Sequence, residues 1–252
     1  MTVHLPLTGE RTVPGIAEEN YWFRRHEAAY LRLVPHCRDA VVLEAGCGEG
    51  FGAQLLTSVA RRVVALDYDT LTVAHVAARY PAVAAVRGNL IGLPLADSCL
   101  DVVVNLQVIE HLWDQPGFLA ECVRVLGPGG ALLISTPNRI TFSPGRDTPL
   151  NPFHTRELNA AELDSLVRDA GFAEVEMLGL HHGPGLRALD AAHGGSMIDA
   201  QVAVVVDGGE WPERLRADVA GVRAEDFEIH GGRIDDSLDL IAIARLGRDR
   251  HS

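Results

Sequence analysis

The stretch Val41–Gly52, with the sequence VVLEAGCGEGFG, constrains the fold of this chain more than any other. Its apolar beginning predicts a short buried strand, and glycines follow at alternate positions, Gly46, Gly48 and Gly50. A run typical of a helix, AQLLTSVARR, comes next. Glycines lack a Cβ atom, so their backbone can adopt positive φ and lie close to a ligand. The stretch therefore predicts a strand, a nucleotide-binding turn and a helix.

The spacing of the glycines limits the class of ligand that this loop is expected to bind. The loop has the pattern E-x-G-x-G-x-G from Glu44, without the G-x-G-x-x-G spacing or the P-loop Lys-Ser/Thr that would indicate a pyrophosphate. A second apolar segment, Val63–Leu66, ends at Asp67, where an acid is placed to accept hydrogen bonds from ribose hydroxyls. A glycine turn in another doubly wound domain is the alternative. An NAD-binding oxidoreductase is disfavoured because the third glycine at G-x-x-G spacing is missing.

Length and composition favour one globular domain in the cytosol. The chain has 252 residues, of which 47% are hydrophobic, and a net charge of −12, which disfavours a nucleic-acid partner. No apolar run approaches the roughly 20 residues that cross a bilayer, and the start lacks a signal-peptide pattern. The four scattered cysteines are expected to be reduced thiols.

The order of apolar segments predicts an α/β fold with a Rossmann-like, seven-stranded mixed sheet flanked by helices. Residues 1–36 form a predicted N-terminal cap segment whose helix, Ala17–Val34, could cover the ligand pocket. Strand six, Phe172–Leu178, and the last strand, Leu238–Ala244, are expected to pair antiparallel. A helical insertion, residues 181–234, separates them and is expected to lie over the active site or at a homodimer interface.

These motifs resemble class I S-adenosylmethionine-dependent methyltransferases. Glu44–Gly50 followed by Asp67 is similar to motif I and the ribose-binding acid of that family, and L-x-P-G-G before a hydrophobic strand is a further family signature, here matched by LGPGG. The resemblance implies that S-adenosylmethionine is the cofactor. It also implies which residues bind the cofactor: Glu44, Gly46, Cys47, Gly48, Gly50, Asp67, Tyr68, Asn89, Leu90 and Gln107. Among these, the amide of Asn89 can both donate a hydrogen bond to adenine and accept one from it.

Candidate catalytic residues follow the fourth strand, where the ligand crevice of an open α/β sheet lies. Some quinone-pathway O-methyltransferases bind a divalent metal through E-x-x-E-H here, but this chain has Gln107 at the first position, and an amide is a weaker ligand for a hard cation. Glu110 either takes part in catalysis or fixes the loop. His154 or His111 is the expected general base, because the pKa of histidine lies near neutral pH.

A metal site is also conceivable elsewhere. His154, in the long polar loop of residues 139–156, could bind Mg²⁺ together with Asp235 and Asp236 and so polarise vicinal hydroxyls. The alternative is that these adjacent acids form a solvated surface or cap a helix.

A narrower resemblance is carried by GERTVPGIAEENYWFRRHEAAY, VVNLQVIEHLWDQ and STPNRITFSPGRDTPLNPFHTREL. These stretches look like the mycobacterial methyltransferases of polymethylated polysaccharides, those of methylglucose lipopolysaccharide and methylmannose polysaccharide biosynthesis. The resemblance implies a sugar or oligosaccharide acceptor, with the 6-hydroxyl of glucose units as the leading candidate. The alternatives are 1-O- or 3-O-methylation of mannosides, a quinone-type small-molecule methyltransferase, and a non-catalytic S-adenosylmethionine-binding module.

Overall fold

The computed structural model describes residues 12–146 and 148–248, so the first eleven residues of the predicted cap segment lie outside the described part. One mixed sheet, with the order β3-β2-β1-β4-β5-β8-β6-β7, forms the centre of the molecule. β1 to β5 run parallel, whereas β8 is antiparallel to both β5 and β6. The strands are β1 (Val41–Ala45), β2 (Arg62–Asp67), β3 (Ala84–Arg87), β4 (Leu100–Leu106), β5 (Leu126–Pro137), β6 (Phe172–His182), β7 (Phe227–His230) and β8 (Asp239–Leu246).

Helices cover the two faces of this sheet. The α-helices are α1 (Asn20–Leu33), α2 (Phe51–Leu56), α3 (Thr70–Arg79), α4 (Gln115–Val125), α5 (Arg139–Phe142), α6 (Ala160–Asp169), α7 (Pro184–Ala192), α8 (Met197–Asp207) and α9 (Glu213–Gly221). Short 3₁₀ helices occupy Ala17–Glu19, Val34–Cys37, Ile109–His111, Ala224–Asp226 and Ile234–Asp236. Within the described ranges, no helix combines the length and the apolar character that spanning a membrane requires.

The predicted strand count of seven is wrong, because the described sheet has eight strands. The additional strand, β7, lies inside the predicted insertion of residues 181–234 and pairs antiparallel with the end of β6. That pairing extends β6 to His182, so the first two residues of the predicted insertion belong to a strand. The sequence FEIH is too short and too polar to be recognised as a strand, and its backbone partners in β6 are what order it.

The core consists of two layers, one on each face of the sheet. Successive side chains of a strand point to opposite faces, and Val42 packs in one layer while Leu43 packs in the other. α4 and α6 complete one layer. α1, α2, α3 and the three helices between β6 and β8 complete the other. Because both faces are covered, the central strands are apolar along most of their length.

Buried polar contacts fix α1 above the carboxyl edge of the sheet. The guanidinium of Arg25 donates to both carboxylate oxygens of Asp239, at 2.7 and 2.6 Å, and both side chains are almost fully buried. One turn earlier, the hydroxyl of Tyr21 lies 2.6 Å from Nε2 of His182, whose Nδ1 lies 2.6 Å from the carboxylate of Asp190 on α7. α1 is therefore joined to the beginning of β8, the end of β6 and α7.

Replacing Asp239 by alanine should destabilise the protein by about 3–5 kcal/mol, because the Arg25 charge would stay buried without its partner. Urea unfolding measures the change. The matched control is Asp164→Ala, which removes an acid from the exposed Arg168–Asp164 pair and should change stability by less than about 1 kcal/mol. Equal effects of the two substitutions would contradict a dominant role for the buried pair.

Candidate functional site

A cavity of about 600 Å³ lies at the carboxyl edge of β1, β2 and β4. Most of the residues predicted to contact a cofactor line it, together with one of the two predicted bases: Gly46, Cys47, Gly48, Asp67, Tyr68, Asn89, Leu90, Gln107 and His111. The other lining residues are Thr12, His26, Tyr30, Glu49, Phe51, Leu106, Val108, Leu112, Trp113 and Phe153. The structure thus brings loops that are far apart in sequence to one site.

The glycines of the loop serve different purposes. Gly46 has a φ of +87°, and a Cβ there would lie 2.7 and 2.8 Å from the methyl groups of Val108. Gly50, with a φ of +94°, begins α2, and a Cβ there would meet Val76 and Tyr80. Gly48 is different, since a Cβ there would have no heavy atom within 4 Å. Gly46 and Gly50 therefore allow close packing, and Gly50 is not among the residues lining the cavity.

Asp67 is held in a fixed orientation at the end of β2. Its carboxylate accepts hydrogen bonds from the backbone N–H groups of Gly48, at 3.1 Å, and Asp69, at 3.0 Å. The residue is buried and lines the cavity. A carboxylate has about four acceptor positions, so two such bonds leave capacity for further donors, such as a pair of vicinal hydroxyls.

Glu44 lies behind the cavity rather than in its wall. It is almost fully buried, and the hydroxyl of Tyr30 on α1 donates to it at 2.5 Å. Burial raises the pKa of Glu44 to about 8, although the hydrogen bond from Tyr30 opposes this shift. Tyr30 itself lines the cavity, so the glycine loop and α1 are joined through this contact.

Glu110, His111 and His154 form one cluster, in which their ligand atoms lie within 4.8 Å of one another. The 3₁₀ turn after β4 provides the first two, and the long loop after α5 provides His154. The loop is joined to this turn because the carbonyl of Glu110 accepts from the N–H groups of Thr155 and Arg156, at 2.7 and 3.2 Å. Both predicted bases and Glu110 are therefore neighbours, and their donor types also suit a divalent cation.

The two histidines both have an acceptor at Nδ1 but differ at Nε2 and in their position relative to the cavity. Nδ1 of His111 lies 3.0 Å from the carbonyl of Phe153, which can only accept, so in the neutral ring Nδ1 carries the proton and Nε2 is basic. Nδ1 of His154 faces the carboxylate of Glu157 at 2.7 Å, and its Nε2 lies 3.1 Å from the amide of Asn151. His111 lines the cavity, whereas His154 is packed behind it with ring centroids 4.9 Å apart.

Gln107 departs from ordinary backbone geometry. Its φ is +57°, which is rare for a residue other than glycine and costs on the order of 1 kcal/mol or more. Its backbone N–H bonds to the carbonyl of Ser135 at 2.9 Å, and its side-chain amide donates to the hydroxyl of Ser135 at 3.2 Å. These contacts hold the strained residue against β5 while it lines the cavity.

A second, smaller cavity of about 270 Å³ contains Asp236 together with His181 and His182 at the end of β6. His154 instead groups with Glu110 and His111. The backbone carbonyl of Asp235 accepts a hydrogen bond from the side-chain amide of Asn138 at 3.0 Å. The structure thus puts Asp236 and His154 in different places and does not bring the three metal candidates together as one cluster.

Several lining residues escaped the sequence analysis. Tyr30 lies on the helix that was expected to cover the pocket, but nothing in the pattern indicated that its side chain faces inward. Trp113 and Phe153 are exposed aromatic residues in loops, and no role was predicted for either although both lie in the stretches that carry the narrower resemblance. The position of Trp113 two residues after His111 is the signal that could have indicated its place.

Gly46→Ala should destabilise the protein by about 3 kcal/mol, because it combines left-handed backbone strain with overlap against Val108. Gly48→Ala is the matched control, since its φ is +50° but its surroundings are open, and about 1 kcal/mol is expected. Chemical denaturation of both variants measures the difference. Equal losses would show that overlap with Val108 is unimportant.

The pKa of Glu110 predicts a stability change with pH. Burial raises it from 4.5 to about 8, so between these values the folded protein binds more protons than the unfolded chain. The free energy of unfolding should therefore fall as pH rises through this window. Glu110→Gln, which cannot ionise, should make this fall shallower in urea unfolding measured at several pH values. An unchanged slope would contradict the raised pKa.

Comparison with known proteins agrees with this geometry. Residues 43–134 match the family described as a methyltransferase domain. A probable S-adenosylmethionine-dependent methyltransferase of Mycolicibacterium smegmatis is 65% identical over 243 residues, covering 95% of each chain. A protein of the same description from Mycobacterium tuberculosis is 63% identical over 244 residues, covering 95% of this chain and 89% of that protein.

Solved structures are similar at the level of the fold. The YcgJ protein from Bacillus subtilis has a TM-score of 0.61 at 17% identity, covering 89% of this chain and all of that one (100%). The mixed sheet with an antiparallel β8 and the cavity at its carboxyl edge agree with the Rossmann-like methyltransferase fold. On this fold and on the identity to the mycobacterial relatives, the chain belongs to the S-adenosylmethionine-dependent methyltransferases.

Proposed function

We propose that this methyltransferase transfers a methyl group to a sugar hydroxyl of a polymethylated polysaccharide or of its oligosaccharide precursor. The leading candidate is the 6-hydroxyl of glucose units, and 1-O- or 3-O-methylation of mannosides is the alternative. The observation that carries the proposal is the position of His111. Its ring lines the same cavity as the predicted cofactor residues, and its Nε2 is the basic nitrogen of that ring.

The cavity fits the cofactor at its β2 end. Asp67 is oriented by two backbone N–H groups and can accept from the ribose hydroxyls. Asn89 and Tyr68 line the same cavity, and they would offer an amide and an aromatic ring to the adenine. S-adenosylmethionine supplies a methyl group on a sulfonium, whose thioether is a good leaving group. The protein has mainly to position the acceptor and remove its proton.

A base is needed because an alcohol is a much poorer nucleophile than its alkoxide. His111 fits this role, since the carbonyl of Phe153 holds the proton on Nδ1 and leaves Nε2 to accept one. His26 also lines the cavity, but burial lowers its pKa to about 4, which makes it a weak base at neutral pH. His154, packed edge to face against His111 and bonded to Glu157, is better suited to orient the base.

The sugar acceptor is supported by where the narrower resemblance lies. Its three stretches, residues 9–30, 103–115 and 135–158, each contribute to the cavity. The first contributes His26 and Tyr30 from α1, the second contributes Gln107 and His111, and the third contributes Phe153. The three stretches quoted for this resemblance, which covers most of the chain, thus each supply residues to the cavity in which the acceptor would bind.

His111→Ala should lower kcat for methyl transfer to short glucosides or mannosides by about 10²- to 10⁴-fold, while cofactor affinity is kept. His154→Ala should cause a smaller loss, on the order of 10-fold, because it misplaces the base without removing it. Transfer from S-adenosylmethionine, with binding followed by calorimetry, measures both. The pH profile separates the roles, since the fall in activity at acid pH, which reports protonation of the base, should disappear in the His111 variant and persist, shifted, in the His154 variant.

The same assay, run with and without Mg²⁺ after chelation, tests the metal. Mg²⁺ dependence is a prediction, and loss of turnover on chelation would favour a cation bound by Glu110, His111 and His154 over His111 acting as the general base. Binding of cofactor without methylation of any saccharide would contradict the sugar proposal and make small-molecule acceptors the next candidates. The position of the new methyl group, located by NMR, decides between glucose and mannose hydroxyls.

A further inference from the structure

Trp113 is the most exposed large hydrophobic side chain in the described part of the chain, at 92%. Tryptophan usually buries much of its surface, and an exposed one that lines a cavity indicates a contact surface for a ligand. A second aromatic residue, Phe153, is 53% exposed and lines the same cavity. Trp113 and Phe153, like Tyr68 at 75%, are therefore exposed aromatic residues that line the cavity without packing into the core.

Both residues are held close to His111. The carbonyl of Phe153 accepts from Nδ1 of His111 at 3.0 Å. The hydroxyl of Thr155, two residues after Phe153, donates to the carbonyl of Leu112 at 2.7 Å, directly before Trp113. The loop that contains Phe153 and Thr155 is therefore joined to the turn after β4 by two hydrogen bonds, one to His111 and one to the next residue, Leu112. An occupant that contacts the aromatic residues would also lie beside the proposed base.

Trp113 follows a different strand of the sheet from the residues predicted to contact the nucleoside. Tyr68 directly follows β2 and lies near β3, because the carbonyl of Tyr68 accepts a hydrogen bond from the side chain of Arg87, the last residue of β3, at 3.0 Å. Trp113 follows β4, and β1 separates β2 from β4 in the sheet. With about 4.8 Å between adjacent strands, the ends of β2 and β4 are roughly 10 Å apart. Adenine at the β2 end would leave the aromatic residues to the acceptor.

We propose that Trp113 and Phe153 form the stacking surface on which a pyranose ring of the acceptor binds. This inference rests on the proposed sugar methylation and names the residues that select its substrate. The face of an aromatic ring carries negative potential, and the C–H groups on one face of a pyranose are its natural partners. The hydroxyls project from the edge of the sugar ring, so a stacked sugar presents them to His111.

Trp113→Ala should raise KM for the saccharide by about tenfold or more, with kcat changed by less than about twofold and cofactor affinity unchanged. Trp113→Phe keeps an aromatic face and should restore part of the affinity. Leu71→Ala is the matched control, because Leu71 is an exposed apolar residue, at 55%, that does not line the cavity. It should leave KM and kcat at the values of the unmodified protein.

Fluorescence gives a readout that needs no turnover. The chain has three tryptophans, and binding of a methyl glucoside or mannoside should change the emission of the protein with cofactor bound, but not that of Trp113→Phe. If saccharides are methylated but KM and emission are unaffected by the substitutions, the stacking surface is wrong and the sugar methyltransferase stands. If no saccharide is methylated and a flat aromatic acceptor is methylated instead, both proposals are wrong.

Discussion

The parallel order of β2, β1 and β4 is the constraint on which the site depends. Because these strands run in the same direction, the loops that follow them all emerge at one edge of the sheet. The strand order changes direction between β1 and β4, which opens a crevice there for a ligand. The glycine loop, Asp67 and Gln107 meet in this crevice although the chain between them forms helices elsewhere. The cavity is thus a consequence of topology.

Polar contacts hold α1 beside the cavity, where His26 and Tyr30 of this helix contribute to the lining. Tyr30 bonds to the buried Glu44 directly below the glycine loop. Arg25 pairs with Asp239 at the start of β8, and Tyr21 contacts His182 at the end of β6. Charges and hydroxyls buried in this way are stable only with their partners in place. The position of α1, and with it that of His26, is therefore set by contacts at three separate strands.

The three helices between β6 and β8 support α1 rather than the cavity. Leu186, Met197 and Leu215, one from each helix, pack in the same core layer as Tyr21 and Leu33 of α1. Asn20, at the start of α1, donates to the carbonyls of Val219 and Val222 at 3.1 and 2.8 Å. No residue from 155 to 248 lines the cavity. That the predicted helical insertion lies over the active site therefore stays a proposal. In the structure, its three helices affect the site indirectly, by supporting α1.

Local patterns in the sequence were sufficient for much of the frame. The strand, turn and helix at Val41–Gly52 and the acid at the end of β2 are both present as predicted. Each depends on residues a few positions apart, whose backbone preferences and short hydrogen bonds do not need the rest of the chain. Residues 181–234, where the sequence predicts a helical insertion, contain the helices α7, α8 and α9.

Tertiary structure decided what the side chains of the site can do. The sequence offered His111 and His154 as equal candidates for the base, and only the fold distinguishes them, because His111 lines the cavity whereas Nε2 of His154 faces the amide of Asn151. It offered Asp235 and Asp236 as partners of His154, which the fold groups with Glu110 and His111 instead. The eighth strand was missed for the same reason. By itself the sequence determined the glycine loop, the apolar strands and the resemblance to methyltransferases, because these are local. Tautomers, burial and the aromatic surface depend on contacts between residues distant in the chain, which no local pattern encodes.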